Sequence, residues 1–236
     1  MTINRELLNN VNVPGLKRVN IFVGNLGSGK TELAINTAVE LSRIGPVALV
    51  DLDIINPYYR TRYAKERLER PGLEVVCPPR ELIQADIPAL PPAILGVLTR
   101  EDRFGVFDVG GDDIGATVLG RFKPSLPAGQ HAVFFVINAC RPRTGTPYQI
   151  VEMLDSIQRA SRARVHYLVN NTNLGADTDL EAIAEGQRLI NEVSIKLGIP
   201  VAFVSVRRDL ADQAAKLGLN VPVVGIDLYM RPPWES

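Results

Sequence analysis

Short runs rich in Val, Ile, Leu, Phe and Ala recur at residues 19–23, 47–50, 73–76, 104–109, 132–137, 165–169 and 201–206. Each is apolar almost throughout instead of at alternate positions, which predicts strands covered on both faces. Between them, longer stretches at 31–43, 92–100, 149–163, 180–197 and 210–217 read as helices. In the first of these Ala34, Thr37, Ala38 and Leu41 fall on one face, the 3.6-residue period of a helix packed on a sheet. Strand and helix alternation predicts an α/β, three-layer domain with a mostly parallel sheet of about seven strands and right-handed crossovers. In such sheets ligands sit at the carboxyl ends of the strands. Each polar cluster below follows directly on a strand, so all of them are placed to converge on one crevice.

Composition adds bounds. With 236 residues and no abrupt compositional shift, the chain reads as one domain, 1–236. Its 26 basic and 26 acidic residues balance, so no global field draws it to nucleic acid or to an anionic membrane. The longest apolar stretches, such as 132–137, fall far short of the roughly 20 residues that span a bilayer, and the first residues lack an apolar signal segment. A cytoplasmic location is expected. Cys77 and Cys140 are isolated, which argues against a disulfide framework or a cysteine metal site and leads us to expect buried thiols. Prolines at 78–79 and 91–92 bracket a segment expected to be a surface connection. The tail from Tyr229 is too short and proline-rich for an amphipathic membrane anchor.

The most informative chemistry lies where the first strand ends, in Gly24-Asn25-Leu26-Gly27-Ser28-Gly29-Lys30-Thr31, which runs into the helical Glu32-Leu33-Ala34-Ile35. A triphosphate presents dense negative charge on oxygens that only accept hydrogen bonds, so it requires many converging donors. Gly24, Gly27 and Gly29 let the main chain approach. The amides of Asn25, Ser28 and the residues around them can wrap the phosphates, beside the positive end of the following helix. Lys30 would reach the β- and γ-phosphates, and the Thr31 hydroxyl would be a ligand of Mg²⁺.

Acidic residues follow the next strands. After the second comes Asp51-Leu52-Asp53-Ile54-Ile55-Asn56-Pro57, where alternation would point Asp51 and Asp53 to the same side. One carboxylate can hold Mg²⁺ or its water shell while the other orients the water that attacks the γ-phosphorus. The competing reading is that these aspartates cap a helix. After the fourth strand comes Asp108-Val109-Gly110-Gly111-Asp112-Asp113. Asp108 suits a direct or indirect Mg²⁺ partner, and Gly111 allows an amide to meet the γ-phosphate. Asp112 and Asp113 read at least as well as N-caps of a helix beginning near Ile114.

Taken together, 24–31, Asp51-Leu52-Asp53 and Asp108-Val109-Gly110-Gly111 resemble the MinD/ParA-like branch (CobQ/CobB/MinD/ParA nucleotide-binding domains) of P-loop nucleotidases, over most of the chain. That resemblance implies ATP (or ADP) and Mg²⁺ as cofactors, with Lys30, Asp53 and Asp108 as catalytic residues and Asp53 orienting water. It places metal ligation at Thr31, Asp51 and Asp108, and a DxxG-like motif at Asp108 with Gly111. In that branch an early lysine in the loop crosses a homodimer interface. Asn25 stands there in this chain, and a neutral amide cannot neutralise developing phosphate charge. Arg60, Arg62, Arg141 and Arg143 are the cations that could supply it in cis or across a dimer.

Base choice rests on Val169-Asn170-Asn171-Thr172-Asn173. Asn173 occupies the place of the carboxylate with which GTPases commonly read guanine, so adenine is favoured. The resemblance implies an adenine contact from Asn170 or Asn171, with Arg207 in the next loop bordering base or ribose. Asparagines here are equally good turn formers. The leading expectation is therefore an Mg²⁺-dependent ATPase acting as a switch toward an unidentified protein partner or toward itself as a nucleotide-linked homodimer. A small-molecule kinase or synthetase, with an acceptor pocket at Tyr58, Tyr59, Arg60 and Arg62, is the first alternative. A nucleotide-binding scaffold with little hydrolysis is the second.

Overall fold

The computed structural model describes residues 5–52, 68, 71–77, 92–111 and 113–230. At its centre lies a parallel sheet of eight strands: β1 (Val19–Gly24), β2 (Val47–Leu52), β3 (Leu73–Val76), β4 (Phe104–Val109), β5 (His131–Ile137), β6 (Tyr167–Asn170), β7 (Val201–Arg207) and β8 (Val223–Ile226). Their spatial order is β3-β2-β4-β1-β5-β6-β7-β8. The sheet thus has one strand more than the pattern predicts. The extra strand β8, Val223-Val224-Gly225-Ile226, is only four residues long, follows Pro222 and is interrupted by a glycine, and the sequence reading passes over it. Its edge is set by pairing with β7, begun where the Val204 amide donates to the Pro222 carbonyl at 2.9 Å.

The helices are α1 (Lys30–Leu41), α2 (Pro92–Thr99), α3 (Asp113–Phe122), α4 (Pro147–Ser161), α5 (Leu180–Leu197) and α6 (Ala211–Ala214). Helix α4 starts two residues earlier than its apolar period shows, because Thr146 accepts from the Gln149 amide and Pro147 occupies the first turn. Asp179 caps α5 in the same way, at 2.8 Å from the Ala182 amide, and Gly198 ends it in the left-handed conformation. The helix expected over 210–217 is a single α-helical turn, α6, between 3₁₀ segments Arg208–Leu210 and Ala215–Leu217.

Successive residues of the central strands enter opposite cores. Val19, Ile21 and Val23 pack with Phe107, Val109, Val133 and Phe135 beneath α2, α3 and α4. Phe22 turns the other way and joins Leu33, Ala34, Ala38 and Leu41 of α1, with Phe134 stacked on it at 5.2 Å between ring centroids. This two-sided burial is why the strands read as continuous apolar runs and not as alternating ones. Strand β1 lies between β4 and β5. The chain leaves β1 toward β2 on one side and later crosses to β5 on the other, which opens a crevice at the carboxyl end of β1. Cys140 lies in the loop beyond β5 and is exposed, and Cys77 is half-buried. The expectation of two buried thiols is therefore wrong, since both cysteines stand past the ends of strands. Among the described residues no helix is long and apolar enough to cross a membrane.

Candidate functional site

The loop 24–31 joins β1 to α1 at that crevice. Gly24 ends β1 in register with Val136 of β5. Gly29, the residue before α1, has φ 88° and gives the helix no side-chain cap. A Cβ at Gly29 would collide with the Asn171 amide nitrogen, so glycine is required there by backbone angle and by space. The first-turn amides of α1 consequently face the crevice with the positive end of the helix behind them. Asn25 is buried, and its carbonyl accepts both the Ser28 amide at 3.1 Å and the Lys30 ammonium at 3.0 Å. The buried Ser28 hydroxyl has no hydrogen-bond partner among the described residues, a rarity for an interior polar group.

The acidic side of the site follows from strand register. Asp51 of β2 lies directly opposite Asp108 of β4. Their neighbours Val50, Leu52, Phe107 and Val109 all enter the core on the far face, so both carboxylates project to the α1 face. Both are buried, Asp108 at 1% exposure. On that face the Thr31 hydroxyl donates to Asp108 Oδ2 at 2.6 Å. One hydroxyl and two carboxylates from adjacent elements form a hard-oxygen set suited to a divalent cation that takes one or two carboxylates and completes its shell with phosphate and water. Among the described residues no group of three or more His, Cys, Asp and Glu gathers as a metal site, and this set has two carboxylates.

The cleft occupies 660 Å³ and runs from Gly27, Gly29, Lys30 and Thr31 past Asn171 to Val206, Arg207, Ile226 and Met230. Arg141 stands at its rim, where its Nε donates to the Gly27 carbonyl at 3.2 Å. The structure thus brings one of the predicted loop cations to the loop. Gly111 comes to the loop from the opposite side, close to Leu26, Asn25 and Lys30. Asn171 bridges two elements, donating to the Ser28 carbonyl at 2.7 Å and accepting from the Ser205 hydroxyl at 2.8 Å. Asn170 is fully buried, donates to Ile183 O and Gln187 Oε1, and accepts from the Thr172 amide. Its amide is spent on α5. Arg207 lines the cleft while paired with Asp209 at 2.6 Å. Asp53, Asp112, Tyr58, Tyr59, Arg60 and Arg62 lie outside the described residues.

Sequence reasoning passed over Glu32 and Asn36. Both lie on α1, one turn apart, and both bind the main chain of residues 227–230. Burial raises the Glu32 pKa above the ordinary carboxylate value, partly offset by the Tyr229 and Met230 amides it accepts. No local signal marks them, because α1 also carries Lys30, Thr31, Thr37 and Glu40 and their partners lie far along the chain.

No protein-family model matches the chain, and no curated protein matches it. Solved structures do. The cell division protein FtsY of Thermotoga maritima has a TM-score of 0.55 at 20% identity, over 85% of this chain and 67% of that chain. FtsY of Mycoplasma mycoides has 0.51 at 16%, over 84% and 64%. The signal recognition particle receptor FtsY of Elizabethkingia anophelis, in complex with GDP, has 0.52 at 17%, over 80% and 56%. Likeness at such identities concerns architecture, and it establishes that this chain shares with these FtsY structures an α/β fold, a parallel sheet flanked by helices.

Proposed function

We propose that this protein binds ATP with Mg²⁺ and hydrolyses it as a nucleotide-dependent switch of the MinD/ParA-like type. The observation that carries this reading is the Thr31–Asp108 hydrogen bond at 2.6 Å, set beside Lys30 and the uncapped first turn of α1. The same few ångströms thereby hold phosphate donors, a cation and oxygen ligands for a metal. The unpartnered, buried Ser28 hydroxyl within the loop adds a donor with no internal use. In this reading Gly24, Asn25, Gly27, Ser28, Gly29, Lys30 and Gly111 cradle phosphates. Thr31, Asp51 and Asp108 would hold Mg²⁺, which would supply neutralisation of the phosphate charge. Asp53 orients the attacking water. Arg141 takes over part of the charge compensation that Asn25 cannot supply. Asn171 and Arg207 border the nucleoside.

Calorimetric titration with Mg-ATP and Mg-GTP tests the reading, GTP being included because one structural neighbour is in complex with GDP. ATP is expected to bind more tightly. Lys30→Ala should weaken binding about tenfold to a hundredfold, the loss of a charge-assisted contact of about 1.5–3 kcal/mol. Unchanged affinity in that variant contradicts the assignment. Slow phosphate release marks a switch, and tight binding without turnover marks a scaffold.

One observation favours phosphorylation of a small acceptor instead. A 420 Å³ cavity bordered by Gly111 extends along α4 past Arg143, Gln149, Glu152 and Ser156. It shares no lining residue with the larger cleft and borders Gly111, which itself lies against the loop. Incubation with radiolabelled ATP and candidate acceptors separates the two readings by where the label ends.

A further inference from the structure

Among the described residues the chain leaving β8 pairs with no strand along residues 227–230, yet its main chain is fastened at four points to α1. The Asn36 side chain donates to the Asp227 carbonyl at 2.8 Å and accepts the Asp227 amide at 2.9 Å. One turn earlier, Glu32 Oε2 accepts the Tyr229 amide at 2.9 Å and Oε1 accepts the Met230 amide at 2.7 Å. Arg208 clamps the Asp227 carboxylate from outside, both contacts at 2.7 Å. Glu32 is the residue next to Thr31, so the helical turn that carries the phosphate donors also carries this fastening.

The fastened segment faces ligand space. Leu228 and Met230, with Ile226 and Val206, form the apolar end of the 660 Å³ cleft, opposite the glycines of the loop. Leu228 is 57% exposed, an exposure that core packing does not explain. A planar heterocycle attached to phosphates needs such an arrangement: donors at one end and an apolar wall at the other, at a fixed separation.

Resting on the nucleotide reading above, we infer that residues 227–230 are the wall against which the nucleoside base packs, and that Glu32 is the positioning residue that locks this wall to the phosphate-binding turn. Glu32 touches no reacting atom in this assignment. It fixes the distance between the two ends of the site, so that its loss is felt by the whole nucleotide and not by the phosphate chain alone.

The discriminating probe is inorganic tripolyphosphate, which fills the phosphate end and lacks a base. Affinities of Mg-ATP and Mg-tripolyphosphate are measured by calorimetry on the full chain, its Glu32→Ala and Glu32→Gln variants, and Leu228→Asn, a substitution at the surface that leaves the core intact. Glu32→Ala and Leu228→Asn are expected to weaken ATP about tenfold while leaving tripolyphosphate within about twofold of the parent. Glu32→Gln, which keeps one acceptor oxygen for one of the two amides, should fall between. Equal losses for both ligands, or no loss of ATP in either Glu32→Ala or Leu228→Asn, overturn the inference while the nucleotide reading stands. A parent protein that binds neither ligand overturns both.

Discussion

Gly111 abuts Lys30 so closely that a Cβ on the glycine would stand 2.9 Å from the ammonium nitrogen and 2.6 Å from the Leu26 amide nitrogen. The chain after β4 is thus keyed into the phosphate loop by the lack of a side chain. Gly111→Ala must displace the main chain at Asn25 and Leu26 relative to residue 111, and Lys30 with it, and overpacking of this kind costs about 1–3 kcal/mol. Because the strain falls on the binding loop, nucleotide affinity should drop about tenfold or more, which calorimetry will read directly. An affinity equal to the parent's would show that the loop yields freely, and the tight fit would then have no functional meaning.

A second expectation concerns the metal. Thr31 and Asp108 meet through a hydroxyl donor and a carboxylate acceptor; a bound Mg²⁺ would take both oxygens as ligands. Asp108→Asn keeps the shape and removes the charge. In nucleotide titrations the parent should lose most of its affinity when Mg²⁺ is chelated, whereas Asp108→Asn should be weak with or without Mg²⁺. Equal dependence on Mg²⁺ in the two proteins would move the metal away from Asp108.

How far the sequence disclosed this arrangement depends on which interactions are local. The loop 24–31 was legible because its chemistry is contiguous, and α1 because Ala34, Thr37, Ala38 and Leu41 bury one face. The shared face of Asp51 and Asp108 needed the β2–β4 register, which alternation within a single strand cannot supply. Asn170 and Asn171 are indistinguishable on paper, since both follow the same strand. Only their partners separate them: Asn170 turns into α5, and Asn171 turns to the loop at Ser28. The Glu32 and Asn36 contacts span more than 190 residues of chain, and no local pattern announces them. Strand β8 was missed for a different reason: its β-branched residues favour a strand, but the run is only four residues long and Gly225 interrupts it.

Arg18 serves the opposite end of the sheet. Its guanidinium donates to the carbonyls of Val97, Leu98 and Arg100 at 3.2, 2.6 and 2.6 Å, closing the carboxyl end of α2, and its Nε reaches Gln130 at 3.0 Å. Burial lowers its pKa, countered by Glu101, but an arginine stays charged at any ordinary pH. Arg18→Met strands those carbonyls in the interior and should cost about 1.5–3 kcal/mol in urea unfolding. Nucleotide affinity should not change, because Arg18 precedes β1 at the amino end of the sheet and the cleft lies at the carboxyl end. A large affinity loss with intact stability would contradict this division.

The last expectation is a dependence of stability on pH through His166. Its Nδ1 accepts the Val133 amide at 3.0 Å, so the ring is held neutral with an acceptor facing a fixed donor. Burial lowers its pKa below the ordinary 6.5, and the edge-on ring of His131, 5.3 Å away, pushes in the same direction. As pH falls through 6.5 the unfolded chain takes up a proton that the folded chain refuses, so stability drops. The contribution is therefore fully present above that pH, is lost progressively below it, and is gone once the pH passes the folded value. His166→Gln keeps an acceptor for Val133 and cannot titrate. Urea unfolding at about pH 7.5 and about pH 5.5 should show the parent losing more stability on acidification than the variant. Parallel losses in the two proteins would assign the acid sensitivity to other groups and leave His166 a packing residue.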